Sequence, residues 1–501
     1  MTAPTLNPPP ANKPTSAYPK QAIIVIHGMG EQRPMDTLRG FVRSVWELDS
    51  KITANGLPNP AEVWSKPDLR TGSLELRRIT TRQSIPTHTF SDGVRSDFYE
   101  LYWADLSGGS AWSEVKDWII GLLLRNPFTR VPRDVCLAWI LLWVLALEIV
   151  LFSVATVLPE KASVAGHLLW SYPPLSWLSN WQAWQLAVVT ALITVATNLF
   201  VVPYFGRVVR YTRATPENIA ARKNIRERGL ALLSELHKED YSRIVVVGHS
   251  LGSILAYDLI SYFWATRYDP RTVLEHTSEF QALLKLERAI GQIEHTADPD
   301  HFEKARGTFL KAQREFCRLL RLRPRPTADA PDTRWLITDL VTLGSPLTHA
   351  EFLLARDAAD LRAHQASRDF PVSPPIRELL DPAVVPKAKA AGFPLDADRP
   401  QLICFPFGSA NQWQLHHAAP FAAVRWTNIH DPALLVILGD LISGPIAPIY
   451  GPGVIDIDLR RSRGQSLRFS HTRYWSMQVA ATPPHVAVLR DALDLAGQRP
   501  L

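Results

Sequence analysis

This sequence contains few cysteines and has a small net charge. The 501 residues include only 3 cysteines, Cys136, Cys317 and Cys404, and no two of them form a CxxC pair. This pattern argues against a disulfide framework or a zinc site, so we expect no metal and a reducing compartment. Lys and Arg number 54 against 48 for Asp and Glu, and a net charge of +6 over this length argues against nucleic-acid binding.

The first twenty residues lack the apolar core that a secretory signal peptide would have. They read MTAPTLNPPPANKPTSAYPK and contain six prolines. Segments this rich in proline stay extended and do not pack, so we expect residues 1–20 to be a disordered tail. The whole chain is 46% hydrophobic, which is typical of a globular protein. Its length fits two or three domains or one large α/β unit with insertions.

Two long apolar runs lie in the first half of the chain. Residues 135–158 read VCLAWILLWVLALEIVLFSVATVL, and residues 183–202 read AWQLAVVTALITVATNLFVV. As a helix, each run is long enough to cross a hydrocarbon core of about 30 Å. We therefore predict a two-helix transmembrane hairpin over residues 135–203. A pair of fully buried helices in a soluble protein is the alternative interpretation.

The residues that flank these runs predict how the hairpin is oriented. Cations such as Arg133 and Arg207 lie outside the two runs, whereas the connecting loop is rich in tryptophan and has Lys161 as its one cation. Cytoplasmic flanks of membrane helices are rich in Lys and Arg, so we expect both soluble parts in the cytoplasm. The lipid bilayer is thus an expected partner, and assembly into a homo-oligomer is left open.

Two polar residues lie inside the predicted hairpin, Glu148 in the first run and Asn198 in the second. A carboxylate within a bilayer is costly, so Glu148 should face a partner helix or be protonated. We interpret it as a packing contact in the hairpin or in an oligomer. The alternative is a functional acid in a channel or transporter assembled from several chains.

Residues 242–262 read SRIVVVGHSLGSILAYDLISY. IVVV is typical of a buried parallel strand, and SILAYDLISY has helical periodicity. The turn between them matches the G-x-S-x-G nucleophile elbow, where glycines are needed because the strand and the helix meet closely. We predict Ser250 as a nucleophile, with Gly248 and Gly252 as the elbow glycines. His249 is interpreted as a packing residue of the turn.

An earlier apolar run, AIIVI, ends in the turn HGMG. A serine nucleophile needs amide donors for the oxyanion that forms when it attacks a carbonyl. We expect one donor to be the backbone amide of Leu251, directly after the nucleophile, and the other to be that of Met29. Gly28 and Gly30 would let this backbone approach the substrate closely. His27 is interpreted as a structural residue of the turn.

A base and an acid for Ser250 are found near the C-terminal end. His471, in SLRFSHTRYW, follows a short strand-like run, whereas His485 opens an ordinary helix, HVAVLRDALDLA. We therefore predict His471 as the general base. The carboxylate that would orient it is either Asp431, in AVRWTNIHDP, or Asp440, in LLVILGDLISGPI.

At these residues the chain resembles the α/β-hydrolase superfamily, and within it the lipase-like and esterase-like serine hydrolases. The motifs HGMGEQ, VVVGHSLGS, VTLGSPL and SHTRYW look like those of a bacterial membrane-associated subgroup. In related hydrolases the acid often follows a W-x-N-x-x-x-P segment, which Trp426, Asn428 and Pro432 match. This resemblance favours Asp440 as the acid. A few inserted residues depart from the family pattern and keep Asp431 open.

The resemblance implies an α/β-hydrolase fold, a mostly parallel sheet flanked by helices, into which the hairpin and a helical insertion are placed. The insertion is interpreted either as a cap that forms one wall of the substrate pocket or as a solvated element without a catalytic role. The predicted boundaries are 1–20 for the tail, 21–134 for the first hydrolase part, 135–203 for the hairpin, 204–264 for the elbow part, 265–333 for the helical insertion and 334–501 for the remainder with the acid and the histidine.

The resemblance also implies a serine hydrolase that is anchored in a bacterial inner membrane and has no metal or organic cofactor. Ser250 would attack a carbonyl, His471 would transfer its proton, and water would hydrolyse the acyl-enzyme. The expected substrate is a small-molecule acyl or lipid ester. Thioesterase, amidase and acyltransferase chemistry remain open, because a fold does not select among them. The competing hypothesis is a catalytically inactive membrane scaffold with the same fold.

Overall fold

The computed structural model describes the residues listed at the end of this paragraph. Residues 1–18 of the predicted tail and almost all of the predicted hairpin, including Glu148 and Asn198, lie outside them. The predicted end of the tail at residue 20 is wrong, because Lys20 is the first residue of a strand and the Pro19 carbonyl accepts the Arg95 amide. Among the residues described, no helix has both the length and the apolar character that a membrane crossing requires. The described residues are 19–28, 33–53, 58–71, 75–107, 120–121, 123–126, 131, 136, 139–140, 143–144, 146–147, 150, 211–212, 216–294, 296, 298–326, 332–408, 411–432, 439–440, 442–460, 471–477 and 482–499.

The strands of the described residues are listed here in chain order. They are β1 (Lys20–Ile26), β2 (Val63–Pro67), β3 (Arg77–Gln83), β4 (Arg95–Leu101), β5 (Arg243–His249), β6 (Thr272–Leu274), β7 (Ile337–Leu343), β8 (Glu378–Leu379), β9 (Gln401–Leu402), β10 (Cys404–Pro406), β11 (Gln412–Leu415), β12 (Arg425–His430) and β13 (Ile455–Asp458).

The α-helices of the described residues are listed in the same way, in chain order. They are α1 (Asp36–Val42), α2 (Pro216–Lys238), α3 (Leu251–Thr266), α4 (Tyr268–Arg271), α5 (Ser278–Glu294), α6 (Pro299–Arg321), α7 (Ala350–Leu353), α8 (Ala358–Ala366), α9 (Val385–Ala390), α10 (Ala447–Tyr450) and α11 (Pro484–Leu493).

An eight-stranded sheet forms the centre of the fold, with the strand order β13-β12-β7-β5-β1-β4-β3-β2. The six strands from β13 to β4 run parallel, and β3 and β2 extend the sheet as antiparallel strands. The apolar runs AIIVI and IVVV form two of the central strands, as expected for parallel strands that are covered on both faces. The prediction of a mostly parallel sheet flanked by helices is confirmed at this level.

Helices cover both faces of the sheet. Ile24 and Ile26 of β1 belong to an apolar cluster that includes side chains of α2 and α3. Ile23 and Val25 belong to a second cluster with side chains of α1 and α11. Successive residues of a strand point to opposite faces, so the unbroken apolar run of β1 fills both clusters.

The register of the parallel strands brings their carboxyl ends to one edge of the sheet. Ile26 of β1 lies opposite Gly248 of β5, and His249 lies opposite Leu343 of β7. Leu343 in turn lies opposite Ile429 of β12. In open α/β sheets this carboxyl edge is where ligands bind, and the loops that follow these three strands carry the candidate site.

α5 and α6 lie within residues 265–333, the predicted helical insertion. α6 crosses the amino ends of the sheet strands. Arg321 donates to the carbonyl of Ser242, directly before β5, and Gln313 donates to the carbonyl of Val424, directly before β12. These contacts lie at the edge opposite to Ser250, which favours an insertion without a catalytic role over a cap.

Candidate active site

Ser250 is the single residue between β5 and α3. Its backbone has φ 53° and ψ −130°, a conformation that costs energy for any residue other than glycine. A Cβ atom added to Gly248 would lie 2.5 Å from the Ser253 Cα, and one added to Gly252 would lie 2.4 Å from the Ile26 carbonyl oxygen. The structure therefore has the strand-turn-helix arrangement that the motif predicts, with glycine required on either side of the serine.

Three side chains form a continuous hydrogen-bonded chain at this turn. The Oγ of Ser250 lies 2.9 Å from the Nε2 of His471. The Nδ1 of His471 lies 3.0 Å from both carboxylate oxygens of Asp440. With Nδ1 carrying the proton, His471 donates to Asp440 and accepts from the Ser250 hydroxyl. This is the relation that a nucleophile, its base and the group orienting the base must have.

Asp440 is fully buried and is held as an anion by its neighbours. It accepts hydrogen bonds from the Tyr474 hydroxyl at 2.8 Å and from the Ile442 amide at 3.0 Å, in addition to His471. Burial alone would raise the pKa of Asp440, but these hydrogen bonds and the interaction with His471 outweigh it and lower the pKa below its usual value. The carboxylate is therefore charged over the whole physiological range.

Asp431, the alternative acid, supports Asp440 through its backbone. Its carbonyl oxygen accepts the amide of Asp440 at 2.8 Å, and its own amide donates to the Ser443 Oγ at 3.2 Å. Pro432 and Asp440 form a parallel β-bridge at the same place. The structure thus brings the carboxylate of Asp440 to the imidazole of His471, whereas Asp431 contacts the backbone of Asp440.

His249 anchors the segment that carries His471. Its Nε2 donates to the carbonyl oxygen of His471 at 2.7 Å, and its ring meets the Trp475 indole edge-on at a centroid distance of 4.8 Å. Burial, with a smaller effect from His471, lowers the pKa of His249 to about 3, so the ring is neutral. The sequence interpretation as a packing residue missed this bond. No local pattern indicates it, because its acceptor lies more than 200 residues further along the chain.

The predicted oxyanion donors are described in part. Met29 and Gly30 lie outside the described residues, and Leu251 begins α3 as a buried residue. Gly28 is described, and a Cβ atom added to it would lie 2.6 Å from the Ser250 Cβ and 3.2 Å from its Oγ. The backbone that leaves β1 therefore runs directly beside the nucleophile, and only glycine fits there.

His27 and Trp103 fix the end of β1. The Trp103 backbone amide donates to the His27 Nε2 at 3.3 Å, and the indole N–H donates to the His27 carbonyl at 3.0 Å. The two rings stack with a centroid distance of 5.3 Å and an interplanar angle of 4°. His27 thus has the structural position that the sequence predicts for it.

A second hydrogen-bonded pair stabilises the elbow from the side of β7. The Oγ of Ser253 donates to the Ser250 carbonyl at 2.6 Å and lies 2.6 Å from the Oγ of Ser345. Ser345 also accepts the Leu347 amide at 3.2 Å. Ser345 therefore connects the turn after β7 to the turn that carries the nucleophile.

The chemistry of the site fits acid–base and nucleophilic catalysis by side chains. Over the described ranges, no group of three or more His, Cys, Asp or Glu side chains is arranged to hold a metal ion. Cys317 and Cys404 are buried as free thiols, and burial raises the pKa of Cys317 to about 12. Such buried thiols are inert.

Comparison with known proteins yields no match to a protein-family model, a curated protein or a solved structure. The functional argument for this chain therefore rests on the geometry around Ser250.

Proposed function

We propose that this protein is a serine hydrolase of the α/β-hydrolase class that cleaves a carboxylic ester through an acyl-enzyme. The observation that carries the proposal is the hydrogen-bonded chain from Ser250 through His471 to Asp440. This chain stands on a strained turn at the carboxyl edge of a mostly parallel sheet. Each part is needed for ester hydrolysis, and their coincidence at one sheet edge is hard to explain by packing alone.

The mechanism follows from the direction of the hydrogen bonds. As the Ser250 oxygen attacks the ester carbonyl, its proton moves to the Nε2 of His471, 2.9 Å away. The imidazolium that forms is stabilised by the buried anion of Asp440. His471 then gives the proton to the leaving alcohol, and the same residues activate a water molecule that releases the acid.

The negative charge of the tetrahedral intermediate needs donors on the opposite side of the carbonyl. The Leu251 amide lies at the first turn of α3, a 16-residue helix whose amino end favours negative charge. The second donor, the Met29 amide, remains a prediction from the sequence. The close approach of Gly28 to Ser250 supports it, because Met29 is the next residue along the chain.

A lipid or acyl ester is the substrate class we favour, because the predicted hairpin would tether the protein to a bilayer. Before the predicted hairpin, the Arg125 guanidinium lies over the Phe352 ring, 4.4 Å from its centroid, and after the hairpin the described chain resumes at Tyr211. The Tyr211 ring packs 6.3 Å from the Trp103 ring, and its hydroxyl donates to Asp258 of α3 at 2.8 Å. A hairpin between Arg125 and Tyr211 would hold α3, the helix that follows Ser250, close to the membrane.

The inactive scaffold remains the competing function. A scaffold would have no need for a hydroxyl within hydrogen-bond distance of a histidine that is itself oriented by a buried carboxylate. The distance of 2.9 Å between Ser250 and His471 therefore favours catalysis. The channel or transporter alternative depends on Glu148, which lies outside the described residues.

The decisive experiment is labelling of the detergent-purified protein with a fluorophosphonate, followed by mass spectrometry to locate the adduct. We expect the adduct on Ser250, with labelling lost in Ser250→Ala and strongly slowed in His471→Ala. The exposed residues Ser367 and His301 provide matched controls, and Ser367→Ala and His301→Ala should label like the parent protein. If the folded protein is not labelled, or if Ser250→Ala is labelled equally, the proposal is wrong.

A further inference from the structure

A cavity lined by arginines lies at the edge of the sheet opposite to Ser250. It is a small recess that opens between α6, the first residues of β7 and β12, and the chain that follows α11. Two aspartates, Asp339 and Asp494, also line it. The arginines of the lining are Arg314, Arg318, Arg321, Arg425 and Arg499.

Three of these arginines are already neutralised by a carboxylate. The strongest pair is buried, with the Arg425 Nε donating to the Asp339 carboxylate at 2.6 Å. The carboxylate of Asp494 accepts two backbone amides of the chain that follows it. The neutralised cations and their partners are Arg318 with Glu315, Arg425 with Asp339, and Arg499 with Asp491.

Arg314 and Arg321 are different. Among the described residues, neither forms a salt bridge with a carboxylate, and the Nε of each partly buried side chain is covered without a hydrogen-bond acceptor, although the Arg321 Nη1 donates to the Ser242 carbonyl. Burial, with repulsion from Arg425 and Arg499, lowers the pKa of Arg314, and burial also lowers that of Arg321. A buried charged donor without an acceptor is costly and calls for a ligand that supplies one.

We propose that this cavity binds a phosphate group, which would contact the guanidinium groups of Arg314 and Arg321. A guanidinium presents two parallel N–H groups that match two oxygens of a phosphate. Among the described residues, Arg314 and Arg321 outnumber the one carboxylate of the lining, Asp494, that forms no salt bridge. Arg243 strengthens the field, because this fully buried residue at the start of β5 has one further Nη without an acceptor in the described structure. A free phosphate ion and the phosphate of a lipid headgroup share this chemistry of recognition.

The test compares inorganic phosphate with chloride at equal ionic strength and neutral pH, using the full chain in detergent. The melting temperature should rise with phosphate, because a ligand that binds only the folded state stabilises it. Calorimetric titration with phosphate would give the affinity. Vesicles of phosphatidylcholine with and without phosphatidic acid form the second arm, and binding only to the acidic vesicles would assign the phosphate to a lipid.

Arg314→Gln is the first variant. The Arg314 guanidinium donates no hydrogen bond to another described residue, and its removal relieves the repulsion from Arg425 and Arg499. Without phosphate, the melting temperature of this variant should equal or exceed that of the parent protein, which also shows that it folds. Its affinity for phosphate should fall by about 10-fold or more, and Arg321→Gln should weaken binding similarly. Arg362→Gln, at an exposed position of α8, is the matched control and should bind as the parent protein does.

Two outcomes would overturn the proposal. One is the absence of a response to both inorganic phosphate and acidic vesicles in the parent protein. The other is an equal response in Arg314→Gln and Arg362→Gln, which would mean that phosphate acts elsewhere. None of these readouts requires turnover, so the test is independent of the hydrolase activity proposed for Ser250.

Discussion

Replacement of Asp440 by asparagine separates the two candidate acids and tests the whole site. Both oxygens of Asp440 already receive hydrogen bonds from other groups, one from the Ile442 amide and the other from the Tyr474 hydroxyl. An asparagine amide nitrogen can accept neither bond. If the new nitrogen faces the Ile442 amide, two donors meet; if it faces Tyr474, the hydroxyl can accept from it and donate to Ser443 instead. In either orientation the negative charge beside His471 is lost.

The expected magnitude follows from the function of that charge. The anion of Asp440 holds the His471 proton on Nδ1 and stabilises the imidazolium, and asparagine can favour the wrong tautomer, in which Nε2 cannot accept the Ser250 proton. In such triads this change lowers kcat by about 10⁴-fold, which corresponds to about 5 kcal/mol in the activation barrier. We expect a loss of this order for Asp440→Asn, with little change in KM.

The assay is hydrolysis of a short-chain p-nitrophenyl ester, with Asp431→Asn as the matched control. Asp431 is also buried, so both variants must be compared per folded molecule, by circular dichroism and thermal unfolding. We expect Asp431→Asn to retain far more activity than Asp440→Asn. A greater loss in Asp431→Asn, or an Asp440→Asn enzyme within about 10-fold of the parent, would refute the reasoning.

Three further changes test separate parts of the structure. Gly28→Ala places a Cβ atom 2.6 Å from the Ser250 Cβ. It should cost far more free energy in the activation barrier, measured from kcat, than in unfolding, measured from the melting temperature; normal turnover would contradict this. Tyr474→Phe removes a donor to Asp440 and should lower kcat/KM by about 10-fold or more, whereas unchanged kinetics would exclude a positioning role. Burial raises the pKa of Glu287 to about 8. The folded state therefore keeps a proton that the unfolded state releases, and stability should fall by several kcal/mol as the pH rises from about 4.5 to about 8. Urea unfolding at both ends of this range should show a much smaller difference for Glu287→Gln.

The central strands and the elbow could be predicted because their determinants are local. The run AIIVI and the run IVVV followed by GHSLG specify buried strands and a tight turn within a few residues. The antiparallel strands β2 and β3 and the small sheet of β10, β11 and β6 were not predicted. Their residues show no sustained alternation, and their pairing depends on distant partners, such as Trp413 opposite Val273.

In the candidate site, too, features with local determinants could be predicted and features that depend on distant partners could not. Ser250 and its glycines follow from a five-residue motif, whereas the choice between Asp431 and Asp440 needed a resemblance to known hydrolases. The contributions of Tyr474 and His249 could not be predicted, because each acts through a hydrogen bond that exists only after the segment around His471 has folded against the elbow. His249 is adjacent to the nucleophile in sequence, yet its partner is the backbone of the base.

The two proposed sites lie at opposite edges of one sheet, and this arrangement links them to the proposed membrane anchor. Trp103, which packs against Tyr211 where the described chain resumes after the predicted hairpin, follows the carboxyl end of β4, on the same edge as Ser250. Arg314 and Arg321 belong to the helix that crosses the amino ends. A hairpin inserted in a bilayer would therefore hold the catalytic edge toward the membrane and turn the arginine cavity toward the aqueous phase. On this reasoning, inorganic phosphate should occupy the cavity without any vesicle present. Binding that required phosphatidic acid would contradict the orientation while leaving both sites in place.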